Sequence, residues 1–202
     1  MSIRKIFITA LALMLGAGAS AQGLNFGVKA GVTANWIPGT YGDLGDDPAT
    51  NIGFYGGLSA THDFASNLFL QAEALYARKG ISTVNPILGK YTRNISYIQV
   101  PLMVGVRTYG DHLRVMAGPA LAYCLGTTVK SDVYNPASLG SPRDFDLSFV
   151  LQTTYLVAEN LGVDLKFDFG ITPAFKDAAI AGTVDEGRNS SVMIGFSYFF
   201  GN

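Results

Sequence analysis

Eleven residues, "LGVDLKFDFGI" from Leu161 to Ile171, place Asp164, Lys166 and Asp168 at every second position with apolar residues between them. A β-strand turns successive side chains to opposite faces, so this segment carries one apolar face and one charged face. The same two-residue period recurs at Leu24–Asn35, Ile52–His62, Leu68–Lys79, Asn94–Arg107, Leu113–Cys124, Asp144–Tyr155, Leu161–Thr172 and Ser190–Phe200. Each segment has the roughly ten residues that a tilted membrane-spanning strand requires. One such segment says little, because soluble strands alternate too; eight in one chain point to a barrel.

The connections alternate as well. Short ones fall at Asp63–Asn67, Thr108–His112 and Leu156–Asn160, and long ones at Trp36–Asn51, Gly80–Arg93, Leu125–Arg143 and Pro173–Asn189. This is the layout of an all-β, eight-stranded antiparallel up-and-down transmembrane β-barrel, with both termini on the periplasmic side. A soluble barrel of the lipocalin type is the competing fold, and volume separates the two. One face of the eight segments carries mostly Phe, Leu, Val and Ile, and the other mostly Gly, Ala, Ser and Thr with scattered charges. Eight strands enclose a lumen just wide enough for their own side chains, so about forty large apolar residues cannot fit inside. The large face therefore points outward, where lipid tolerates it. Aromatics near the segment ends suit interfacial belts: Trp36, Tyr76, Tyr123 and Phe145 externally, with Phe26, Tyr155, Tyr198 and Phe200 toward the periplasm.

The first residues fit an exported chain. Arg4 and Lys5 precede the apolar run Ile6–Leu15, and Ala19-Ser20-Ala21 supplies an A-x-A cleavage pattern. We expect a signal peptide over residues 1–21 and a single barrel domain over 22–202. A net charge of −1 gives no general attraction to nucleic acid. The expected surroundings are outer-membrane lipids, the outer-membrane assembly machinery and envelope proteins met through the external loops.

The parity of the segments sends Lys29, Arg107, Arg114 and Lys166 inward, along with Glu73, Asp146, Asp164 and Asp168. Four positive and four negative charges in a tight lumen call for mutual pairing. Arg107 and Arg114 flank one short turn and need an acid from elsewhere; Asp164 is the expected partner. This set is structural: the two histidines, His62 and His112, both fall at the periplasmic end, so no catalytic triad or metal constellation forms near the external loops. We expect no enzyme, cofactor or metal. Cys124 serves as a small lumen filler, and Asp43, Asp46 and Asp47 form a solvated acidic loop whose spacing matches no calcium site. Lys90 and Arg93, in the next loop, could pair with those acids or meet lipopolysaccharide phosphates.

Tyr97–Arg107, "YIQVPLMVGVR", followed by Leu113–Gly126, "LRVMAGPALAYCLG", resembles the central hairpin of the PorT-like outer-membrane β-barrel family. Phe26–Gly31, "FGVKAG", and Gly195–Phe200, "GFSYFF", are similar to its first and last strands. The resemblance implies an outer-membrane location and marks no active site. It also suggests an accessory role in protein export as an alternative to a structural or surface-interaction role, with a narrow channel as a third possibility.

Overall fold

A computed structural model describes residues 23–36, 47–85, 89–110, 112–131, 143–173 and 188–200. Nine strands lie among them: β1 (Leu24–Trp36), β2 (Asp47–Ala49), β3 (Asn51–Asp63), β4 (Leu68–Asn85), β5 (Gly89–Thr108), β6 (Leu113–Ser131), β7 (Phe145–Ala158), β8 (Leu161–Pro173) and β9 (Arg188–Phe199). All their pairings are antiparallel. Eight form a closed barrel in which each long strand pairs with its neighbours in sequence and β1 closes on β9; the short β2 lies against the far end of β4. Residues 1–21, read above as a signal peptide, lie outside the described residues, as do Asp43 and Asp46 of the acidic loop.

Alternation is the reason these segments close into a barrel. On β9, Ile194 and Phe196 are 54% and 61% exposed, whereas Met193 and Ser197 between them are 0% and 1% exposed. The apolar row faces out and the small and polar row faces in on every long strand, so the wall is inverted relative to a soluble protein. Closure makes two inward glycines necessary. Gly31 on β1 sits opposite Gly195 on β9, and the Tyr55 ring lies across both. A Cβ on Gly31 would come within 2.6 Å of the Gly195 Cα, and one on Gly195 within 2.5 Å of the Tyr55 hydroxyl.

The short turns lie at one end. Glu159–Asn160 joins β7 to β8, and Tyr109 and Gly110 take left-handed backbone (φ 56° and 62°) between β5 and β6. At the other end two expected loops prove to be largely strand. β4 and β5 pair continuously from Leu75↔Gln99 to Asn85↔Gly89, so most of Gly80–Arg93 is a hairpin wall. β6 runs to Ser131, with the pairing shifting at Ser96/Tyr97 so that Leu125 is the extra residue. The acidic loop also contains a strand, β2. These stretches lack an apolar row, which is why period alone left them as loops.

Candidate functional site: the charged lumen

The lumen is filled in three layers. Nearest the short turns lies an apolar floor at Phe69 and Phe199, and the apolar cluster of Phe69, Met103, Met116, Ala120 and Val150 rises from it along one wall to Val150, opposite Asp168. Two arginines cover aromatic rings there. Arg107 stands 5.1 Å from the Phe69 centroid, and Arg114 stands 4.5 Å from that of Phe199. Both rings are fully buried, so each guanidinium rests on a water-excluded aromatic face.

Above the floor, four charges meet. Lys29 on β1 lies 3.0 Å from Glu73 Oε1 and 3.2 Å from Asp164 Oδ2, and Lys166 on β8 binds Glu73 Oε2. The remaining acceptor capacity is also used. Gln71 donates to Glu73 at 2.7 Å, while Thr154 and Ser197 donate to Asp164 at 2.6 and 3.1 Å. Two lysines and two carboxylates balance in charge. Glu73, Asp164 and Lys166 are each 1% exposed, so none of them could be left unmatched without a large desolvation cost. Strand parity causes the meeting: each residue occupies the inward position of its strand, and the eight-stranded lumen is narrow enough for lysines on β1 and β8 to reach β4.

A third layer lies toward the long loops. Lys79 pairs with Asp168, which also accepts from Gln99 at 2.7 Å. Asp146 is held by neutral donors, Thr172 at 2.8 Å and Asn189 at 2.9 Å; Asn189 also reaches the Tyr97 hydroxyl at 3.3 Å. Cys124 is half-buried against Ile95, Tyr97 and Ala122.

The structure thus brings Lys29, Glu73, Asp164 and Lys166 together, places Asp146 and Asp168 one layer higher, and leaves Arg107 and Arg114 on the floor. The expected pair of Arg107 with Asp164 does not form. Arg107 binds Asp63, at the start of the adjacent short turn, and Asp164 is taken by Lys29. The reason is distance along the wall: Arg107 lies one residue from its strand end, whereas Asp164 has climbed into the middle layer. Asp63 was read only as a turn residue. Lys79 and Arg93 were also missed as lumen residues: following the inward parity of the third segment to its last residue finds Lys79, while Arg93 had been assigned to a loop and is buried.

The aromatics Trp36, Tyr76, Phe145, Tyr155, Tyr198 and Phe200 are exposed on the outer wall. Tyr123 packs against Phe145 in a tilted arrangement, with centroids 5.2 Å apart. His62 and His112 are exposed at the short-turn end, away from the lumen carboxylates. Among the described residues no three His, Cys, Asp or Glu side chains converge as a metal would require.

Residues 19–176 match the family described as outer membrane protein beta-barrel domain. The fold is similar to that of Neisserial surface protein A (TM-score 0.51, 17% identity, covering 89% of this chain and 100% of that one). Ail, the attachment invasion locus protein of Yersinia pestis, aligns over 89% of this chain and 100% of its own (TM-score 0.48, 13% identity). No curated protein matches the chain. The family match spans well over half of the sequence, and with it the outward apolar wall has its explanation: the protein is an outer-membrane barrel and belongs to the outer membrane protein beta-barrel domain family.

Proposed function

We propose that this protein is a closed, non-enzymatic barrel that serves as a membrane-embedded scaffold and presents its long-loop end to partners outside the cell. The observation carrying this reading is the middle layer of the lumen, where the charges of Lys29, Glu73, Asp164 and Lys166 are spent on one another. Together with the apolar floor, that arrangement supports a plug over a path for ions. Export by a signal peptide cleaved before Gln22, periplasmic termini and PorT-like kinship belong to the same reading. The first rests on the Ala19-Ser20-Ala21 pattern, the second on the short turns sharing an end with the chain termini, and the last on the strand motif around Pro101.

Planar-bilayer recording of the refolded protein tests the plug. The expected trace is flat, without unit conductance steps. Stable openings that respond to Glu73→Gln or Lys166→Gln would sink the proposal in favour of a narrow channel.

A further inference from the structure

We propose that the lumen network is a latch: it holds shut a seam in the membrane wall along β5, where the backbone ladder is broken on both sides. The starting point is the pairing register. On the β4 side, pairing runs to Ala72↔Leu102 and resumes at Leu75↔Gln99 with the register unchanged, which leaves Glu73 facing Pro101 across the gap. On the β6 side, it runs to Pro101↔Ala120 and resumes at Val104↔Ala117, which leaves Leu102 facing Pro119. Every other seam of the barrel pairs without interruption through the middle of the wall.

Proline is the cause. It has no N–H to donate, so in mid-strand it removes a ladder bond. Bonds alternate along an antiparallel pair, and one missing N–H cancels two adjacent pairings, the length of each gap. The carbonyls of Glu73 and Leu102 therefore lose the ladder donors that this register would give them. Leu102 stands in the outward row with Val100 and Val104 and is 48% exposed, so the breaks lie where lipid offers no substitute donor. The two prolines act on opposite edges of one short stretch, Pro101–Met103, which is tied to its neighbours by fewer ladder bonds than the strands around it.

Side chains cross the lumen to the same place. Lys166 on β8 binds Glu73, the residue opposite Pro101. Asp168, also on β8, takes Lys79 from β4 and Gln99 from β5, the latter at 2.7 Å. Asn189 on β9 donates to the Tyr97 hydroxyl on β5 at 3.3 Å. Gln99 and Tyr97 are the next two inward residues above Pro101. β8 and β9 stand across the barrel from β4 and β5, so these bonds tie the broken wall to an intact one. Away from water such bonds gain strength, because the low dielectric leaves them unscreened. The inference rests on the mutual pairing of charges read above as a plug, and adds what that pairing holds. With the ties in place Pro101–Met103 stays in the wall. With them released this stretch parts from β4 and β6 while the rest of the barrel stays folded.

The test is residue-resolved amide hydrogen exchange, read by NMR on the full barrel in lipid nanodiscs. Heat-dependent gel migration first establishes that each variant is folded. The Glu73 and Leu102 amides report the seam, and those of the paired residues Leu165 and Ile194 report the intact wall. In the wild type the seam amides should exchange about tenfold faster than the reference pair. Gln99→Leu removes one tie and should speed the seam about another tenfold, with the reference pair changing by less than about twofold. Pro101→Val combined with Pro119→Val restores both N–H groups. It should slow the seam to the reference rate and abolish the effect of Gln99→Leu. Seam amides that exchange no faster than the reference pair overturn the proposal. So does Gln99→Leu leaving the seam unchanged or speeding both pairs alike, and so does a double proline variant whose seam keeps the wild-type rate. Conductance separates this result from the plug. A barrel that conducts yet shows the local pattern contradicts the plug and keeps the latch, and a silent barrel with uniform exchange does the reverse.

Discussion

Five barrel strands, β1, β3, β7, β8 and β9, are 12–14 residues long, whereas β4, β5 and β6 run to 18, 20 and 19. A tilted strand needs about 9–11 residues to cross the bilayer, so the first group ends near the interface and the second rises well beyond it. The two regions obey different rules. Within the membrane zone every outward position meets lipid, and any lapse from the apolar pattern is costly. On the upper part of β6 that demand is gone, and the residues from Leu125 to Lys130 are exposed on both faces. The comparison separates what the bilayer imposes on this chain from what the chain does outside it.

The largest break in that contrast should come from inside the membrane zone. Glu73→Gln leaves Lys29 and Lys166 facing each other without the acid they share. Breaking such a buried pair costs about 3–5 kcal/mol, measurable by urea unfolding of the barrel in lipid vesicles. On the lipid face of the same zone, Leu165→Arg puts a cation one residue from Lys166 but on the wrong side of the wall. The expected loss is about 2–4 kcal/mol if Leu165 lies near the midplane, as its place in the middle of β8 implies. The same change above the membrane, Thr128→Arg on the outward face of the tall part of β6, should shift stability by less than about 0.5 kcal/mol in the same unfolding assay. If Thr128→Arg cost as much as Leu165→Arg, the tall strands would be embedded and the distinction between the two regions would fail.

The difference also explains which features could be read from the sequence. The eight strands, their inward and outward faces and the inward residues Lys29, Glu73, Asp146, Asp164, Lys166 and Asp168 follow from period two, because lipid enforces that period. The extensions of β4, β5 and β6 did not, since Ser82, Thr92 or Thr128 is acceptable to water in strand or loop alike. Pairing was the other illegible part. Parity says which side chains enter the lumen but not at what height they meet, so Arg107 was matched to Asp164 when the nearer acid was Asp63. Tyr55 passed unnoticed for a similar reason: its role depends on Gly31 and Gly195, which become neighbours only when the first and last strands close.

The central claim is that the middle-layer charges stabilise the barrel through each other. A double-mutant cycle on Glu73→Gln and Lys166→Met tests it most directly, because the double variant keeps the Lys29–Asp164 pair and removes the orphaned lysine. Equilibrium unfolding in vesicles should then show the double variant recovering much of the stability lost by Glu73→Gln alone, with a coupling within the 0.5–3 kcal/mol range of contacting residues and near about 2 kcal/mol. Additive losses, agreeing within about 0.5 kcal/mol, would contradict the account and reduce the network to a coincidence of inward-facing charges.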